Sequence, residues 1–131
     1  MENKFKIEII SPEKIIFSNE AEMVTLPCYE GDMSILKNHI SLITFLRPGI
    51  IKVAKTDGSL EEFFAQDGTV EFFNENLVLL SVSAINIKNL PKDFIKNLTK
   101  ETRDQLDEIN IDDHNRYILN QKLDALKEIR V

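Results

Sequence analysis

Tryptophan is absent and cysteine occurs once, at Cys28. A single thiol closes no internal disulfide and builds no thiolate metal cage, so a reducing compartment and an unstapled core are expected. Histidine is nearly as scarce. His39 and His114 fall in different parts of the chain, which leaves little material for a Ser-His-carboxylate or Cys-His device. No HExxH, CxxC, GxxxxGK[ST] or GxGxxG string occurs, so the signatures of zinc, redox, Walker-type phosphate and dinucleotide chemistry are missing. The longest apolar-rich stretch, Ile40 to Leu46, is interrupted by Ser41 and Thr44 and falls far short of the ~20 residues that cross a bilayer. Any connection with a membrane is therefore expected through other proteins. The opening Met1-Glu2-Asn3-Lys4-Phe5-Lys6 lacks the basic-then-apolar layout of a signal peptide and reads as a mature N-terminus. Positive charge is also short. Sixteen Lys and Arg against 22 Asp and Glu leave a net charge of −6, the wrong sign for a chain that must neutralise phosphates, and nucleic acid is not an expected partner.

What is present is an ordinary globular composition, 43% hydrophobic and 29% charged over 131 residues, enough for one domain with a small appendage. From Phe5 to Ile87 the pattern is one of short β-type runs. Phe5, Ile7 and Ile9 alternate with Lys6 and Glu8, so the three apolar residues share one face of a strand. Ile15 to Phe17 and Met23 to Leu26 read as two further strands, separated by Ser18-Asn19-Glu20, with Pro27 ending the second. The segment Cys28 to His39 reads as a loop around Gly31. Runs at 40–46, 50–53, 60–65, 69–73 and 77–82 are joined by Arg47-Pro48-Gly49, Asp57-Gly58, Asp67-Gly68 and Asn74-Glu75-Asn76. Turn chemistry of this kind predicts hairpins between neighbouring strands, with Gly49 supplying the positive φ of a type II turn. The expected fold is mainly β plus α, opening with a β-sandwich of about nine or ten strands.

After Ile87 the branched runs give way to isolated apolar residues among Lys, Asp, Glu and Asn. Phe94, Ile95, Leu98, Leu106 and Ile109 follow helical spacing, and Pro91 suits a first helical turn, so a helix is expected over about 91–108. Asn110, Asp112 and Asp113 offer capping oxygens for a second helix over about 113–130, whose apolar stripe holds Ile118, Leu119, Leu123, Ala125, Leu126 and Ile129. The short joint predicts an antiparallel two-helix hairpin. Residues 1–88 are thus expected as the sandwich and 89–131 as a helical hairpin that docks on it more weakly than the strands hold each other.

Candidate chemical groups each have a bland counterpart. Glu61 and Glu62 point to opposite faces of a strand and read as solvated charges. Asp113 and Arg116, three apart on a helix, read as a surface ion pair or as part of a ligand site. Cys28 reads as a buried small hydrophobe. The loop with Glu30, Gly31, Asp32 and His39 is either an ordinary polar turn or a functional surface, and residue types alone leave both open.

Order and spacing say more. Val24-Thr25-Leu26-Pro27, Glu30-Gly31-Asp32-Met33, Ile35-Leu36, Asn38-His39 and Leu46-Arg47-Pro48-Gly49-Ile50-Ile51 resemble the epsilon subunit of the F-type rotary ATP synthase, and Phe63-Phe64-Ala65, Gly68 and Val70-Glu71 continue the likeness. The resemblance implies a non-catalytic central-stalk subunit of a proton-translocating synthase, without a cofactor, peripheral on the cytoplasmic side of the bacterial inner membrane. Its implied partners are gamma and the ring of c subunits, met through Glu30, Gly31, Asp32 and His39. It further implies a hairpin that extends to the catalytic alpha/beta head and blocks ATP hydrolysis. Some family members bind ATP through Ile/Leu-Asp-x-x-Arg-Ala. Here Asp113 and Arg116 keep the Asp-x-x-Arg spacing, but Asp112 precedes it and Tyr117 follows. An acid beside the phosphates would repel them. A different class of reading is a free-standing, nucleotide-responsive β-sandwich that binds a small molecule. An enzyme using Glu61, Asp67 or His39 as acid-base groups is a third.

Overall fold

The computed structural model describes residues 3–129. Nine strands and two helices follow in chain order: β1 (Phe5–Ile10), β2 (Ile15–Cys28), β3 (Gly31–Leu36), β4 (Leu42–Leu46), β5 (Gly49–Lys55), β6 (Leu60–Ala65), β7 (Gly68–Phe73), β8 (Asn76–Leu80), β9 (Ile85–Asn86), α1 (Phe94–Leu106) and α2 (Asp113–Glu128). The mainly β fold class with a C-terminal helical pair is as expected. One layer of the sandwich runs β1-β8-β7-β4 and the other contains β3, β2, β5, β6 and β9. β1 and β8 pair in parallel and the other neighbours antiparallel.

Where two strands were expected between Ile15 and Leu26 there is one strand of 14 residues. Ser18, Asn19 and Glu20 do not break it, because they pair with Glu8, Ile7 and Lys6 of β1. Cross-strand hydrogen bonding overrides their turn preference. The register of β2 against β5 slips between Ala21 and Met23, a bulge that lets β2 leave β1 and run on beside β3 and β5. Pro27 lies within the strand, opposite Asp32. The expected loop from Cys28 to His39 is likewise mostly strand. Only Tyr29 and Glu30 form the turn, after which β3 returns along β2.

Two of the four expected hairpins form. Asp57-Gly58 joins β5 to β6, with Gly58 at φ 86°, and Asn74-Glu75 joins β7 to β8 with φ of 51° and 61°, the pair of positive values a type I′ turn needs. The other two are corners between layers: β4 pairs with β7 rather than β5, and β6 pairs with β5 and β9 rather than β7. Gly49 is therefore not at positive φ. It is needed for space, since a Cβ there would overlap the Pro27 ring, while Arg47 N–H donates to the Pro27 carbonyl at 3.0 Å.

The two layers close on Phe5, Ile7, Ile9, Val24, Leu26, Ile35, Ile51, Val53, Phe63, Val70, Phe72, Leu77 and Leu79. β5 and β6 are apolar on both faces. Ile51 and Phe63 point inward, and their neighbours Ile50 and Phe64 point outward into a second cluster with Ala125, Leu126 and Ile129. That second cluster holds five buried residues against eighteen in the first, so the helices add the smaller share of apolar burial. α1 begins at Phe94, later than expected, with Asp93 at φ 64° and Pro91 outside the helix. Ile109 is not on an apolar face. It lies in the turn between the helices and is 96% exposed. Asp112 caps α2 by accepting from Asn115 N–H at 2.7 Å.

Gly49→Ala is expected to lower unfolding free energy by about 2 kcal/mol, the cost of overpacking against a ring that cannot rotate away. Urea denaturation followed by far-UV circular dichroism measures this, and the midpoint should fall with the slope unchanged.

Candidate functional site

Three of the four residues expected to form a contact surface lie together. Glu30 is exposed in the tight β2–β3 turn, Gly31 opens β3 at φ 125°, and Asp32 is its second residue. The Asp32 carboxylate accepts from Arg47 Nη2 at 3.0 Å, and Arg47 Nη1 donates to the Pro48 carbonyl at 3.2 Å. Arg47 is held with only 16% of its side chain exposed, so the turn is braced against the β4–β5 corner. Glu30 makes no ion pair among the described residues, whereas Asp32 is engaged by Arg47.

His39 stands apart from this group. It follows β3 at the opposite end, about 17 Å of strand away. Its Nδ1 lies 2.7 Å from the Ile40 carbonyl and its ring meets Phe72 edge-on at 6.0 Å. Asp113 and Arg116 are both exposed at the start of α2, and the surface ion pair expected between them is not formed among the described residues.

No convergent reactive centre appears among the described residues. Cys28 is buried as expected, and burial pushes its thiol up from the ordinary value. Glu61 is not the solvated charge expected. With 16% of its side chain exposed, it accepts from Asn86 Nδ2 at 2.8 Å and lies within 4 Å of Lys55 and Lys88. The Asn86 hydrogen bond, then the two lysines, hold its carboxyl below the usual range. Asp67 is occupied by the Ser81 and Ser83 hydroxyls at 3.3 and 2.8 Å, fixing the β6–β7 corner. Lys122, on α2, has its ammonium pushed down by burial and partly restored by Glu101. No group of three or more potential metal ligands occurs among the described residues.

The sequence reading missed a surface. On the outer face of the first layer the register aligns Phe45, Thr69, Leu80 and Ile10 across four strands, and Ile43 lies one pleat along β4. Ile43 is 70% exposed, Phe45 59% and Leu80 51%, and no element among the described residues covers them. Phe45 and Leu80, with Val82 and Tyr29, border an open groove of about 640 Å3. The signal was available: 42–46 is apolar at every position but Thr44, and a strand buried on one face only would alternate.

The family model described as "ATP synthase, Delta/Epsilon chain, beta-sandwich domain" matches residues 4–87. The chain belongs to the ATP synthase epsilon chain family. The epsilon chain of Pelagibacter ubique is 44% identical over 130 residues, spanning 98% of this chain and 99% of that one. That of Parvibaculum lavamentivorans is 31% identical over 131 residues, spanning 99% and 98%. This epsilon-family fold is also shared with a chain of the Euglena gracilis mitochondrial ATP synthase, at TM-score 0.74 and 16% identity, covering 97% of this chain and 79% of that one. A chain in the central stalk and c-ring structure of the Tetrahymena thermophila enzyme gives a TM-score of 0.60 at 14% identity, covering 94% and 93%. Among the described residues no helix is long and apolar enough to cross a membrane.

The Glu61 arrangement predicts a pH effect. Because its folded carboxyl sits below the ordinary glutamate value of 4.5, the stabilisation is present above that pH and is lost as the pH falls through the folded value. Glu61→Gln should therefore lower the thermal midpoint at pH 7 and narrow its gap to wild type at pH 3, as read by calorimetry.

Proposed function

We propose that this chain is a non-catalytic subunit of the rotating central stalk of a proton-translocating F-type ATP synthase, where it joins gamma to the ring of c subunits. The observation that carries this reading is full-length kinship with epsilon chains, 44% identical in one case and covering sandwich and hairpin alike. It takes no cofactor, and it stays on the cytoplasmic side of the bacterial inner membrane through its partners.

Two surfaces suit the two partners. The uncovered apolar row of Ile43, Phe45 and Leu80 has the character of the core of a protein interface and is assigned to gamma. His39, whose ring meets Phe72, and the exposed Ile40 precede β4 in the chain and are assigned to the same partner surface. The braced turn with Glu30, Gly31 and Asp32 is assigned to polar loops of the c-ring, where a carboxylate can meet Arg or Lys. A joint that turns under load is better served by a sandwich with one continuous core than by a helix pair. The hairpin, residues 89–131, is the regulatory part. Its smaller apolar contact with the sandwich fits an element that leaves to reach the alpha/beta head and impede ATP hydrolysis.

Co-expression with gamma tests the assembly. Wild type should co-migrate with gamma on size exclusion over a range of salt, and Ile43→Asp with Phe45→Asp should weaken the complex at least ~100-fold, as for truncated interface hot spots. Failure of the wild-type chain to co-migrate would overturn the assignment. Removal of residues 89–131 should raise the ATPase rate of the assembled head, and an unchanged rate would remove the brake from the reading.

A further inference from the structure

Two surfaces meet at Tyr29. Its ring stacks with His114 and Tyr117, both at 6.4 Å between centroids and with interplanar angles of 15° and 23°. Its carbonyl accepts the Tyr117 hydroxyl at 3.2 Å, across 88 positions of sequence. The same residue lines the open groove beside Phe45, Leu80 and Val82.

The remaining attachment of the hairpin lies at its other end. Ala125, Leu126 and Ile129 of α2, with Phe94, Ile95 and Leu98 of α1, pack on Ile50 and Phe64. The interhelical turn contributes nothing comparable, because Ile109 projects into solvent. The first turns of α2 are thus seated on the sandwich by the ring cluster. An aromatic pair plus one exposed hydrogen bond amounts to roughly a factor of ten in an opening equilibrium, so this end is the one that opens first.

We propose that Tyr29 is a latch shared by the hairpin and the groove: it seats the tip of the hairpin, and a chain lying in the groove fixes the ring in the position the hairpin uses. Groove occupancy and tip seating then favour each other, and the coupling is reciprocal. The latch itself is a property of the isolated chain. Only the identity of the groove's occupant, gamma, rests on the stalk reading above.

Native-state hydrogen exchange on the full-length chain reads the latch without any partner. Tyr29→Ala, which removes the ring and keeps the backbone carbonyl, should accelerate amides 116–120 about fivefold and leave amides 123–128 within about twofold of wild type. Tyr117→Phe, which loses only the hydroxyl, should give about threefold. Unchanged exchange at 116–120 would show the rings to be idle, and uniform acceleration along α2 would show the hairpin lifting as one body; either overturns the proposal. Should Tyr29→Ala disturb the β2–β3 turn, His114→Ala with Tyr117→Ala removes the rings from the helix side and must give the same pattern. Because the chain has two tyrosines and no tryptophan, near-UV circular dichroism supplies an independent reading. Tyr29→Ala should abolish most of the tyrosine signal, and loss of only half, as for two independent rings, counts against the latch. With gamma added, exchange at 116–120 should slow in wild type and not in Tyr29→Ala. A complex that forms without slowing it refutes the coupling, whereas absence of any complex refutes the stalk reading and leaves the latch standing.

Discussion

Strand β2 belongs to both layers of the sandwich, and its handover from β1 to β3 and β5 at the Ala21–Met23 bulge is the constraint on which the rest depends. A straight strand could serve one layer only. The bulge adds twist and redirects the chain, so that Ala21 and Val24 both still point into the shared core. The next corner depends on it in turn, because Pro27 at the far end of β2 is the surface against which Gly49 fits and whose carbonyl receives Arg47. Arg47 then reaches Asp32 and steadies the β2–β3 turn. Core packing, corner geometry and the posture of the β2–β3 turn are one connected arrangement.

The two outer faces have different fates. That of β5 and β6 carries Ile50 and Phe64 and is covered by the chain's own helices. That of β4, β7 and β8 carries Ile43, Phe45 and Leu80 and is left open. Exposed apolar surface of this kind marks contact sites in general, and it is the feature that supports the interface proposed here. Tyr29 both touches α2 and lines the groove.

The alternation of Phe5, Ile7 and Ile9, the Asp57-Gly58 hairpin, the capping by Asp112 and the apolar stripe of α2 were legible in the sequence because each is decided within a few neighbouring residues. The errors share a different cause. Ser18-Asn19-Glu20 has turn propensity, yet β1 pairs with it; Gly49 and Asp67-Gly68 carry turn chemistry, yet they mark corners between layers. Of the proposed contact residues, Glu30, Gly31 and Asp32 are contiguous and so necessarily adjacent. Their distance from His39 depended on β3 being a strand rather than a loop.

The sequence by itself determined the class of fold, the division into strands and helices and the family, since these rest on residue type, local period and linear order. The tertiary structure alone decided how the strands pair beyond the two predicted hairpins, which apolar face is covered and which lies bare, and that Tyr29 meets Tyr117. Those outcomes depend on contacts between segments far apart in the chain, whose pairing follows from the simultaneous burial of both layers and is written in no local pattern.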